Sequence, residues 1–142
     1  GYHSGQDWTD AIASELNDYE QMAQEAEQIS ADRGRHADIQ VTPVNLALRE
    51  LIMAIESGQV SGLAHRTDIF ADDVHLNKTG NYYAACVGFA AIYRKSPEGL
   101  TNQIANRWGG SALWLDLDQA LSRQLQEIAW SSVSSYMQLG GD

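Results

Sequence analysis

The sequence predicts an α/β fold, rich in helix. Three observations carry that reading. Apolar residues recur at helical spacing across the first thirty positions. A short strand-like run at 38–45 passes directly into a helix, the strand-then-crossover order of a parallel sheet. A polar loop at 64–80, with Ile69-Phe70 as a brief strand, then feeds a strongly apolar helix. With 142 residues, 44% of them apolar, the chain has material for one domain with a core, which excludes a wholly disordered chain.

The first helix is expected over 7–30. Trp8, Ile12, Leu16, Tyr19, Met22, Ala23, Ala26 and Ile29 form its stripe, and Asp7 suits the first turn. Eight acids and no base fall between Asp7 and Asp32, which reads as a solvated outer face, with an acidic docking surface as the alternative. Arg33-Gly34-Arg35 supplies the stop, glycine in the usual place and cations at the negative end of the dipole.

In Asp38-Ile39-Gln40-Val41-Thr42-Pro43-Val44-Asn45, the two-residue spacing of Ile39 and Val41 predicts a strand that Pro43 closes. The helix of Leu46–Ser57 carries Leu48, Leu51, Ile52 and Ile55 on one side, with Gly58 and Gly62 in its exit loop. A third helix, 79–95, is apolar almost all round from Tyr82 to Tyr93 and therefore wants cover on most sides. Ser96-Pro97-Glu98-Gly99 is a turn with proline second. Residues 100–115 give no readable element. A last helix over 116–138 starts near Asp116 or Asp118, buries Leu121, Leu125, Ile128, Ala129, Ser132, Val133 and Tyr136, and ends at Gly140-Gly141. No repeat, low-complexity tract or linker divides the chain. Two strands do not make a stable parallel sheet, so strands from elsewhere are expected.

Nine Lys and Arg against 19 Asp and Glu give a net charge of −10, which argues against nucleic acid or an anionic membrane surface as partner. No apolar run approaches the roughly 20 residues that span a bilayer. Gly1-Tyr2-His3-Ser4-Gly5 has neither an initiator Met nor a signal-like apolar stretch and reads as a processed, trimmed or truncated end. Cys86 alone excludes an internal disulfide and leaves secreted, periplasmic and cytoplasmic settings open.

The chemistry concentrates in Asp72-Asp73-Val74-His75-Leu76-Asn77-Lys78-Thr79-Gly80-Asn81-Tyr82. A carboxylate three residues before a histidine in a turn can reach the imidazole Nδ1–H. It fixes the tautomer and stabilises the imidazolium formed when the other nitrogen takes a proton. Asn77 or Thr79 can cap the following helix, and Gly80 permits close approach of its first turn. The pair lies at the expected end of a strand, where open α/β sheets place ligands.

These residues resemble the last conserved block of the SGNH/GDSL hydrolases, serine esterases and lipases with a flavodoxin-like three-layer α/β/α fold. The likeness rests on Asp72-x-x-His75-Leu76-Asn77-x-x-Gly80-x-Tyr82. It continues through Tyr83-Ala84-Ala85 and Ala91 to Leu100. In Gln119-Ala120-Leu121 and Glu127-Ile128-Ala129-Trp130 it is similar to a bacterial branch with a helical C-terminal extension. It spans Ile39 to about Tyr136. The resemblance implies that His75 is the general base, Asp72 its orienting acid, and Asp73 a bystander, with no metal and no cofactor. The family's nucleophile lies in an upstream Gly-Asp-Ser block and its oxyanion hole in a Gly-x-Asn-Asp block, and neither block occurs here. The chain is therefore expected to be the C-terminal half of such a hydrolase, inactive alone, partnered by an N-terminal half from the same precursor or a separate chain and acting on a small ester. The alternatives are a non-catalytic helical interaction domain and a self-complementing homo-oligomer.

The remaining candidates are weaker. Ser111 in Gly109-Gly110-Ser111 follows the histidine and reads as a loop serine; Ser4 and Ser61 lack supporting context. Cys86 reads as packing. His3, His36 and His65 lack metal-ligand spacing, and His65 reads as an exposed loop histidine. Asn77-Lys78-Thr79 fits a glycosylation sequon that capping already explains. Trp108, Trp114, Tyr82 and Tyr83 read as core or rim, the alternative being an acyl or sugar pocket.

Overall fold

The computed structural model describes residues 5–106 and 112–139. Its order is α1 (Gly5–Asp32), α2 (Val44–Glu56), one 3₁₀ turn (Arg66–Ile69), α3 (Lys78–Tyr93), β1 (Gln103–Ala105), β2 (Leu113–Asp116) and α4 (Gln119–Met137). The fold is mixed and helix-rich, with a two-stranded antiparallel sheet.

The core forms where α4 packs on α3 and α2. The α2 stripe is buried as its spacing requires: Leu48, Leu51, Ile52 and Ile55. Tyr83, Val87 and Ala90 meet it from α3, and Leu125, Ala129 and Val133 from α4. The Tyr83 hydroxyl donates to the Ala47 carbonyl at 2.7 Å, joining α3 to α2, and burial pushes its phenol pKa up. Asp118 starts α4 by accepting the Ala120 and Leu121 N–H groups at 2.9 and 3.0 Å, an N-cap that satisfies donors the helix itself cannot.

Helix α1 packs on α2 through the face that buries Leu16. Farther along it is held by side-chain bonds: Asn45 Nδ2 to Glu15 Oε2 at 3.0 Å, and the Tyr136 hydroxyl to Glu20 Oε1. Burial first, and the Glu20 carboxylate second, push that phenol to about 12. Tyr19, Met22 and Ile29, expected in the buried stripe, are exposed.

Three expectations are corrected. No strand forms at 38–45. A strand needs a neighbour for its N–H and C=O groups, and no described strand lies alongside. Ile39 N–H instead donates to Glu27 Oε1 at 2.7 Å, and helix α2 begins at Val44, inside the run. Ile69-Phe70 is likewise no strand. Ile69 ends the 3₁₀ turn, and Phe70 makes an isolated antiparallel bridge to Leu76. Finally, the described sheet is antiparallel, built from residues 103–116 that offered no pattern. Its strands are short and mostly exposed, with an irregular register between Ile104 and Ala105, so no period-two signal was there to read. Asn102 closes the ribbon's open end, its carbonyl accepting Leu117 N–H at 3.0 Å while its amide donates to the Leu117 carbonyl at 2.6 Å.

The turn after α3 closes one residue later than expected, Leu100 N–H donating to the Pro97 carbonyl at 3.1 Å. A buried network secures it. Gln126 Nε2 donates to the Tyr82 hydroxyl at 2.7 Å and to the Leu100 carbonyl at 3.0 Å, and Gln126 Oε1 accepts Gly99 N–H at 3.0 Å. The Tyr82 hydroxyl in turn donates to the Thr101 carbonyl at 3.1 Å. The expected Gly140-Gly141 stop lies outside the described residues.

Replacing Gln126 by Leu keeps the volume but strands these partners in the interior. Equilibrium urea unfolding of Gln126→Leu is expected to show a loss of about 1–3 kcal/mol.

Candidate active site

The Asp72–His75 loop is anchored at both ends before its functional groups are placed. On the incoming side, Asp68 Oδ2 accepts the N–H groups of Ala64 at 2.7 Å and His65 at 3.0 Å. Those two bonds hold the Asp68 carboxyl below its ordinary pKa. Ile69 is fully buried and pins the turn to the core. The chain then reverses between Phe70 and Leu76, and Ala71 N–H donates to the His75 carbonyl at 2.7 Å.

On the outgoing side, Asn77 caps α3, its Oδ1 accepting Gly80 N–H at 3.1 Å. Asn77 N–H donates to the Ile69 carbonyl at 3.0 Å, and Asn77 Nδ2 to the Asp68 carbonyl at 2.7 Å. Of the two capping candidates the structure uses Asn77. Its side-chain nitrogen donates inward, so the asparagine of the sequon serves the fold. Asn81 Nδ2 donates back to the Leu76 carbonyl at 2.8 Å. The first turn of α3 sits so close to the loop that a Cβ built on Gly80 would intrude on the Ile69 carbonyl oxygen and lie 2.9 Å from Leu76 Cδ2.

Within this frame Asp72 does two jobs. Its Oδ1 accepts Val74 N–H at 2.9 Å and His75 N–H at 2.8 Å, closing the turn. Its Oδ2 lies 2.8 Å from His75 Nδ1, with Oδ1 at 3.0 Å. The Val74 amide, then the His75 amide, then the imidazole lower its pKa to about 2. Asp72 is thus ionised at neutral pH and can only accept, so Nδ1 carries the proton and Nε2 is left as the basic nitrogen. The His75 side chain is 76% exposed, and Nε2 has no hydrogen-bond partner among the described residues. Chemically this is an oriented imidazole with its base nitrogen open to solvent.

Sequence reasoning found Asp72, His75 and the Asn77 cap. It missed Asp68 and Asn81, whose signal was a short polar side chain within five residues of the backbone groups it ties down. Asp73 is exposed, and its carboxylate makes no bond among the described residues. No described serine or cysteine side chain bonds to His75. Ser61 lies elsewhere, its N–H donating to Gln124 of α4, while Ser4 and Ser111 lie outside the described residues. Cys86 is buried, which pushes its thiol to about 11 and leaves it unreactive.

Tyr82 and Tyr83 belong to the core, whereas Trp114 is at the surface, with Lys78 Nζ 5.6 Å from the centre of its ring. Trp108 and His3 lie outside the described residues, and His36 and His65 are exposed. Among the described residues, no three His, Cys, Asp or Glu side chains are grouped to hold a metal, and no helix is long and apolar enough to cross a membrane.

No family model, curated protein or solved structure matches this chain.

Two outcomes are expected. On acidification, the Asp72 side-chain carboxyl ¹³C resonance should keep its ionised position through pH 4 and titrate with a midpoint near 2. The sign follows from the lowered pKa: the carboxylate's contribution is present above the unfolded-state value and is lost as pH falls through the folded one. Gly80→Ala should cost about 1–3 kcal/mol in thermal or urea unfolding, because the methyl meets backbone that cannot yield cheaply.

Proposed function

We propose that this chain is the base-supplying, C-terminal part of an SGNH-type serine ester hydrolase with a flavodoxin-like three-layer fold. The observation that carries the reading is the Asp72–His75 pair, with Nδ1 bound to an ionised carboxylate and Nε2 open. In the reaction, a serine hydroxyl attacks the ester carbonyl while His75 Nε2 takes its proton. The tetrahedral adduct collapses, and Nε2–H returns the proton to the departing alcohol. A water then repeats the sequence on the acyl-enzyme and releases the acid. The serine and the oxyanion donors come from a segment or partner carrying Gly-Asp-Ser and Gly-x-Asn-Asp blocks.

A second feature supports a missing neighbour. Helix α3 leads away from the dyad loop and carries uncovered apolar surface: Ala85 is exposed, Tyr93 is 61% exposed and Ile92 is 72% exposed. An apolar flank of this kind calls for a packing partner. The competing reading is a helical interaction domain, favoured by the closed α2–α3–α4 core, with Asp72 and His75 merely stabilising a turn.

The test is p-nitrophenyl acetate hydrolysis by the chain alone and together with a polypeptide carrying the two missing blocks. The chain alone should give only the rate of an exposed imidazole. The mixture should turn over, and His75→Ala should reduce that turnover about 10²–10⁴-fold. Equal turnover in the chain alone would overturn the missing-half reading, and a mixture indifferent to His75→Ala would favour the interaction domain.

A further inference from the structure

We propose that Asn77 is a positioning residue that sets the direction and tautomer of the His75 ring, an assignment that rests on reading Asp72–His75 as a base and its orienting acid. The His75 and Asp72 side chains are 76% and 55% exposed, so packing does little to orient the imidazole. Its aim is fixed by the Asp72 carboxylate and by the backbone of the 70–76 reversal. Asn77, two residues beyond His75, is where that backbone is fastened.

Every polar group of Asn77 is in use. Its N–H donates to the Ile69 carbonyl at 3.0 Å, and its carbonyl accepts from Asn81 N–H and Asn81 Nδ2, each at 2.9 Å. Its Oδ1 accepts Gly80 N–H at 3.1 Å. Its Nδ2 donates to the Asp68 carbonyl at 2.7 Å, with a longer contact to the Phe70 carbonyl at 3.5 Å. One side chain therefore binds both the strand of chain entering the reversal and the helix leaving it. Capping explains only half of this. An N-cap needs one acceptor, which Asp, Ser and Thr supply equally well. The inward donor is what an amide adds, and it grips the residues that flank the Phe70–Leu76 bridge. Asp at this position would keep the cap and set a carboxylate oxygen against the Asp68 carbonyl, so Asn77→Asp separates the two jobs.

The experiment uses the full chain with ¹⁵N-labelled histidine, read by NMR together with amide hydrogen exchange, circular dichroism and thermal melting. The unaltered chain should show one protonated nitrogen, Nδ1, and one bare nitrogen, Nε2, on the His75 ring. Asn77→Asp and Asn77→Ser should retain helix α3 by circular dichroism while the ring reverts to a mixture of tautomers and the Val74 and His75 amides lose protection. Asn81→Ala, which leaves the inward donor intact, should keep the single tautomer and serves where an Asn77 variant does not fold. Retention of the single tautomer in either folded Asn77 variant would overturn the assignment, as would its loss in Asn81→Ala, where the inward donor is intact. With the complementing polypeptide, Asn77→Asp should lower kcat for p-nitrophenyl acetate roughly 10–100-fold with little change in KM. The tautomer readout needs no substrate, so it decides the assignment of Asn77 even if the unaltered pair shows no hydrolysis, a result that would defeat the proposed function and not the positioning.

Discussion

The close seating of the first turn of α3 against the 66–76 loop is the constraint from which the site follows. At Gly80 the helix comes so near the Ile69 carbonyl that only a residue without a side chain fits. That approach brings Asn77 within reach of both the Asp68 carbonyl and Gly80 N–H, and it leaves the 70–76 reversal standing off the end of a buried helix. The helix is itself fixed by Tyr83, Val87 and Ala90 in the core. Packing at one end of α3 is thereby converted into a defined position for two exposed side chains at the other. Without the tight contact the loop would be a surface excursion whose ordering cost nothing repaid.

Electrostatics complete what packing begins. The Asp72 carboxyl is held below the ordinary carboxylate range first by the backbone N–H groups on Oδ1 and then by the imidazole, not by an arginine or lysine beside it. Oδ1, which closes the turn, and Oδ2 both face the imidazole, so turn geometry and tautomer are one fact. An asparagine there could still accept the amides through its oxygen, but its NH₂ would confront Nδ1 and favour the opposite tautomer. Asp68 repeats the device one turn earlier, its carboxylate accepting two N–H groups from the chain that leads in. In a chain of net charge −10, both of these carboxylates are held by main-chain donors.

The helices were legible because their signals are local. Leu48, Leu51, Ile52 and Ile55 mark α2, and the Asp118 cap marks α4, within a few residues of sequence. The Asp72–His75 contact was legible for the same reason: three residues of separation in a turn leave little freedom. What could not be read depends on partners far along the chain. Ile39 and Val41 have strand spacing, but a strand exists only when another backbone takes its hydrogen bonds, and here Glu27 of α1 takes the one from Ile39. Residues 103–105 and 113–116 pair despite lacking alternation, because Asn102 and Leu117 close the ribbon and Gln126 fixes the turn before it. The inward bonds of Asn77 were invisible because they need the Asp68 carbonyl in a place only the folded loop provides.

The apolar character of α3 is a sequence feature that the described structure does not use up. Tyr82, Tyr83, Cys86, Val87, Ala90 and Ala91 are buried, which accounts for one side of the helix and the whole contact with α2 and α4. Ala85, Ile92 and Tyr93 remain on its outside. A sequence evolved only to form this helical cluster gains nothing from apolar residues at those positions, and charged ones there would be free. Beside α1, Tyr19, Met22, Ala23 and Ile39 line a groove of about 470 Å³, with Val41 and Thr42 in its wall. Both are apolar surfaces that the packing of α2, α3 and α4 around the core does not account for, one on α3 itself and one between α1 and the chain that leads into α2.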